Sequence, residues 1–121
     1  MRPAALATAL TFAAPLPAAA NDFEPVHDRG RFLSIVEGQE LRLGAFGVAL
    51  WVAGDGSIRG SAMGADITGS WAWRDGYFCR EMDWSGTPIP YNCQLVEVAA
   101  PGKVRFSVDR GAGRSAEFTL R

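Results

Sequence analysis

The stretch Asp66-Ile67-Thr68-Gly69-Ser70-Trp71-Ala72-Trp73-Arg74, followed by Asp75-Gly76 and Tyr77-Phe78-Cys79-Arg80, decides the fold. Ile67, Gly69, Trp71 and Trp73 fall on one face, and Asp66, Thr68, Ser70, Ala72 and Arg74 on the other. That period of two marks a half-buried strand. Asp-Gly supplies the positive φ angles of a two-residue hairpin loop, so residues 77–84 should return antiparallel.

The same grammar extends in both directions. Upstream, residues 32–36 read as a first strand and Leu41 and Leu43 as the start of the next. Val48, Leu50 and Val52 share one face, Gly54-Asp55-Gly56-Ser57 makes a turn, and residues 57–62 return with Ile58 inward. Downstream, residues 85–90 read as a loop and 91–98 as a strand, with a turn over 99–102. Val104, Phe106 and Val108 alternate with polar neighbours. Asp109 to Arg114 turns again, and Ala116, Phe118 and Leu120 close the chain. Residues 21–30, polar and carrying Pro25, read as an irregular N-terminal arm ahead of a single β domain over 31–121. No helical pattern of about ten residues is evident beyond residue 20. About eight short strands hide their edges by closing on themselves. The expected fold is an all-β, small antiparallel up-and-down barrel, lipocalin-like, with one disulfide. A two-sheet β-sandwich is the alternative.

Residues 1–20 have the form of a cleaved signal peptide. Arg2 gives a positive start and Ala4 to Ala14 is uncharged. Pro15 and Pro17 break the run, and Ala18-Ala19-Ala20 offers small residues at a cleavage point before Asn21. The run is about half the ~20 residues a membrane span needs, so no stable membrane insertion is expected after cleavage. The expected location is periplasmic or secreted. The chain has 12 basic and 13 acidic side chains, net −1, and loss of the leader removes Arg2. That balance lacks the basic face a nucleic-acid binder needs. Gly is 14 of 121, above the usual ~7%, which fits many tight turns.

Cys79 and Cys93 are the two cysteines, equally spaced from Gly86. In an oxidising compartment an even pair reads as one disulfide. A hairpin centred near Gly86 sets them directly opposite, about 4.5–5.5 Å apart at Cβ, close to the roughly 3.5–4.5 Å a bridge requires. Neither a C-x-x-C motif nor a zinc spacing is present.

Arg80 is the oddest residue. It shares a face with Phe78, Met82 and Trp84, so an inward side chain would bring a guanidinium into an apolar barrel. A buried cation requires a partner: Glu97, Asp109 or an anionic ligand. The aromatic set is Trp51, Trp71, Trp73, Trp84, Tyr77 and Tyr91. A small barrel cannot bury both faces, so some rings should be exposed, and exposed rings suggest a partner surface. The candidate ligand residues are therefore Arg80, Trp71, Trp73, Trp84 and Tyr77. A lumen able to hold a ligand is expected to be lined by small residues such as Gly60, Ala62 and Gly69. His27 is the single histidine, so no Ser-His-Asp or Cys-His set can be assembled. Asp22, Glu24, His27 and Asp28 cluster only within the arm. No catalytic residue, metal site or cofactor is expected. The Asp109 to Arg114 turn follows no strand-to-helix pattern and reads as a hairpin rather than a phosphate cradle.

The segment Gly69 to Arg80, with Asn92-Cys93-Gln94, Phe32-Leu33-Ser34-Ile35-Val36-Glu37-Gly38 and Asp109-Arg110-Gly111-Ala112-Gly113, resembles a family of small exported proteins of alphaproteobacteria. The resemblance covers nearly the whole chain beyond residue 20 and implies export. Some members bear the label dihydrodipicolinate reductase. That enzyme class is a cytoplasmic nicotinamide-binding α/β protein with a G-x-G-x-x-G loop between strand and helix. This chain has neither that motif in that setting nor the length, so the label is not carried over. More loosely, a short disulfide-pinned barrel resembles lipocalin-like modules and periplasmic inhibitors of peptidases or lysozyme. The expected function is an exported non-enzymatic binding module. Its partner would be a small apolar or anionic ligand or an envelope protein; inhibition of a peptidase or lysozyme is the alternative, and a small hydrolase or reductase ranks below both.

Overall fold

A computed structural model describes residues 22–121; the leader expected over 1–20 lies outside them. Three two-residue turns build the central meander. Met63-Gly64, Asp75-Gly76 and Ser85-Gly86 all have positive φ at both positions, the geometry that matches the right-handed twist of the flanking strands. They join β4 (Ser57–Ala62), β5 (Ala65–Arg74), β6 (Tyr77–Trp84) and β7 (Thr87–Ala99). Ahead of these lie β1 (Glu24–Val26), α1 (Arg29–Val36), β2 (Leu41–Leu43) and β3 (Val48–Val52), and after them β8 (Lys103–Ser107) and β9 (Ser115–Leu120).

Strands β2 to β9 pair antiparallel in chain order. The β2–β9 pairing, Leu41 opposite Leu120, closes them into an eight-stranded barrel. Closure removes the two open edges that the β2 to β9 meander would otherwise have. The long strand β7 serves three neighbours. Thr87 to Gln94 pairs with β6, Leu95 to Ala99 pairs with β8, and β1 takes the edge of Val96 to Val98 that lies beyond the end of β6. The segment expected as an irregular arm is thus part of the wall from Glu24 to Val26, with Val26 fully buried.

Residues 32–36, expected as a strand, are the body of α1. The alternation of Phe32, Ser34 and Val36 fits a strand, but Phe32 and Val36 are also four apart and share one helical face. The flanking signals favour helix. The Asp28 carboxylate accepts from the Arg31 backbone N–H at 2.8 Å as an N-cap. At the other end the Glu37 N–H closes on the Leu33 carbonyl, and Gly38 follows at φ 76°. Asp28→Ala should cost roughly 1 kcal/mol, read as a shift of the urea midpoint at unchanged slope. An unchanged midpoint would remove the cap from the reasons this segment is helical.

Phe32 and Val36 enter one end of the barrel and are fully buried. The Phe32 ring lies 5.5 Å from Trp71, 5.0 Å from Trp73, 5.1 Å from Phe78 and 6.3 Å from Phe106. The helix is a plug, and Phe32 is its central contact. Above it the core continues through Leu41, Leu50, Ile58, Ile67, Val96, Val104 and Phe118.

Cys79 and Cys93 are paired Cα partners and form a disulfide. The symmetry about Gly86 has a structural reason that the turn alone does not provide. The Ser85-Gly86 turn sets Trp84 opposite Thr87, a register that would bring Cys79 opposite Asn92. Between Arg80 and Met82 the register shifts, with Pro90 and Tyr91 opposing Glu81. That one-residue bulge brings Cys93 into place. The expected 85–90 loop is accordingly strand from Thr87 onward. The cysteines lie on the outer face, because the inward positions of β6 are Phe78, Arg80 and Met82.

Candidate ligand site in the barrel lumen

Side chains from the wall strands line a half-open cavity of about 90 Å³. Leu41, Leu50, Val52 and Ile58 form one wall, Phe106 and Phe118 another, and Phe78, Arg80, Met82 and Gln94 the third. Arg80 and Gln94 are the two polar side chains among these. The strand period places both: Arg80 is two positions from Phe78 on β6, and Gln94 is the cross-strand partner of Phe78 on β7.

Arg80 faces inward and is 8% exposed. Its Nη1 donates to the Pro90 carbonyl at 2.7 Å. The bulge explains that contact, since Pro90 lies in the irregular step of β7 where the ladder register is broken. The carboxylates expected as partners are used elsewhere. Glu97 pairs with Arg105 at 3.0 Å, and Asp109 accepts from the Asn92 side-chain amide at 2.8 Å. Among the described residues no carboxylate lies within salt-bridge distance of Arg80. Burial pushes the Arg80 pKa down through desolvation, although an arginine stays charged. Arg105 is displaced upward, chiefly by its hydrogen bond to Glu97. The contrast separates a paired cation on the wall from a desolvated one inside.

No fully buried side-chain nitrogen or oxygen among the described residues lacks a hydrogen-bond partner. The Arg80 N–H groups beyond the Pro90 bond are therefore not sealed against apolar protein. They border open space, and the residue lines the cavity. Gln94, also 8% exposed, makes no side-chain hydrogen bond among the described residues, so its amide borders open space by the same reasoning.

The aromatic candidates lie elsewhere. Trp71 donates its indole N–H to the Ala53 carbonyl at 2.8 Å, Trp73 to His27 at 3.0 Å and Trp84 to Ala62 at 3.0 Å. These rings tie neighbouring segments together, and none of them lines the cavity. Trp71 and Trp73 converge on the helix plug, and Tyr77 lies beneath the Arg110 guanidinium at 5.2 Å. Of the expected set, Arg80 alone lines the lumen cavity. Exposed rings do occur, at Trp51 and Tyr91 on the outer face.

Gly60, Ala62 and Gly69 do not line the lumen cavity. A Cβ on Gly60 would lie 2.0 Å from the Ala49 carbonyl oxygen, and one on Gly69 would lie 2.5 Å from that of Glu81. These glycines permit close approach of the neighbouring strand's backbone. Gln94 was not among the expected site residues. Its signal was available: the Cys79–Cys93 pairing puts Gln94 opposite Phe78, on the inward face.

A larger groove of about 320 Å³ crosses the outer face near Thr68, Glu81, Asp83 and Pro88. It contains no buried polar side chain. Among the described residues, no three of His, Cys, Asp or Glu come together as a metal site, and no helix is long and apolar enough to cross a membrane. The chain matches no family model, no curated protein and no solved structure.

Proposed function

We propose that this chain is an exported, non-enzymatic binding module whose barrel lumen takes a small ligand with apolar and anionic character. One observation carries the reading: the buried Arg80 guanidinium has no carboxylate partner among the described residues and borders a lumen cavity. A charge removed from water needs compensation, and a ligand entering the lumen supplies it. The leader-like residues 1–20 and the disulfide support a periplasmic or secreted location. Small-ligand sites are mostly apolar with a few convergent polar groups, which is the composition seen here. The resemblance to small exported alphaproteobacterial proteins accords with this reading. The inhibitor alternative would need an exposed loop in place of the arm, because Glu24–Val26 is paired with β7.

Native mass spectrometry of the protein purified from its own host should show a small added mass. Arg80→Met should abolish that mass and leave the fold as stable or more so, since the substitution orphans no acid. A wild-type spectrum free of any adduct under conditions that preserve known small-ligand complexes would count against a resident ligand. A clear loss of stability in Arg80→Met would assign the guanidinium a structural role instead.

A further inference from the structure

The lumen also limits the size of what it can accept, and this deepens the reading above and rests on it. A dry protein cavity of about 150 Å³ holds benzene, with six heavy atoms. By proportion, the 90 Å³ lumen takes roughly four. Its walls are mostly branched aliphatic and aromatic side chains, and its polar groups are confined to Arg80 and Gln94. A guanidinium carries five N–H donors in a planar fork that matches a carboxylate. One donor contact is made to the Pro90 carbonyl, leaving others for a ligand. Gln94 lies diagonally across from Arg80 on the neighbouring strand, about 7–8 Å away in such a pair, so both can reach one small molecule.

We infer that the lumen is a site for a short-chain monocarboxylate of about the size of acetate or propionate. The carboxylate binds the Arg80 guanidinium, the Gln94 amide donates to it as well, and the short alkyl tail packs against Leu50, Ile58 and Phe118. The apolar walls disfavour doubly charged or strongly hydrated anions, because those would lose hydration without further compensating donors. The cavity volume favours a short tail. Met82 is the flexible side chain in the lining and gives the upper limit some latitude.

Calorimetric titration of the full disulfide-bonded chain with formate, acetate, propionate, hexanoate, sodium chloride and neutral 1-propanol tests this. Saturable binding should peak at acetate or propionate, fall at least tenfold for hexanoate, and exceed that of chloride. Arg80→Met should weaken propionate binding at least tenfold. Gln94→Glu places an internal carboxylate in the same lumen and should also weaken it at least tenfold, while raising the melting temperature. Equal binding of chloride and propionate would overturn the carboxylate assignment. So would tightest binding of hexanoate. If 1-propanol binds as well as propionate, and Arg80→Met keeps that binding, the anion inference falls and lumen binding survives. If no probe binds and the protein from its host carries no small adduct, both fall together.

Discussion

Replacing Phe32 by Ala should remove about 3–5 kcal/mol of stability, a large share of the ~5–15 kcal/mol typical of a domain this size. Phe32 is fully buried and touches the rings of Trp71, Trp73, Phe78 and Phe106. The substitution leaves a void at the end of the barrel that α1 plugs. It also removes aromatic contacts worth about 0.5–1.5 kcal/mol each beyond burial. Near-UV circular dichroism should report the change directly, because Trp71 and Trp73 lose the ring that fixes their environment. Phe32→Leu keeps most of the volume and should cost much less. A loss below about 1 kcal/mol for Phe32→Ala in urea unfolding would mean that the helix rests on the barrel without plugging it.

Removing the disulfide is the second large effect. Cys79 and Cys93 are separated by 14 positions, for which the chain-entropy model gives about 3 kcal/mol. The bridge fixes the register on the bulged side of β6 and β7, the part of the wall that turns Arg80 toward Pro90. The double variant Cys79→Ser/Cys93→Ser should melt well below the wild-type protein and regain ligand binding wherever it is folded, because the cysteines lie on the outer face. Unchanged melting would remove the bridge from the stabilising features. Loss of binding in folded double variant would mean that the bridge also shapes the lumen.

The strands of the central meander were legible because their chemistry is local. Asp75-Gly76 names its own turn, and residues 66–74 alternate without interruption. Phe32 to Val36 reads as a strand although it is helical, because its apolar spacing satisfies two periods at once. The deciding information lay outside the segment, in Asp28 as cap and Gly38 beyond the end. Pro88 and Pro90 argued for a loop because proline cannot donate to a ladder. The wall tolerates them, Pro88 as a paired residue opposite Asp83 and Pro90 inside the bulge. The inward face of Arg80 followed from its alternation with Phe78 and Met82. Its partner did not, because the Pro90 carbonyl reaches it only through the bulge, which no local pattern announces. The tryptophans were legible as large apolar groups, but each indole N–H finds its acceptor on a segment distant in sequence. Their placement as ties rather than as lumen walls therefore required the closed barrel.

The most direct test is the Arg80 side-chain resonance. In ¹⁵N-labelled protein, assigned by its loss in Arg80→Met, the Arg80 Nε–H signal should shift saturably on addition of propionate, with the Gln94 amide signals moving at the same concentrations. Arg105, paired to Glu97 on the wall, should stay in place and serve as the internal control. An Arg80 signal that does not move with propionate, or that moves only in parallel with Arg105 as a general salt effect, would contradict a carboxylate site in the lumen.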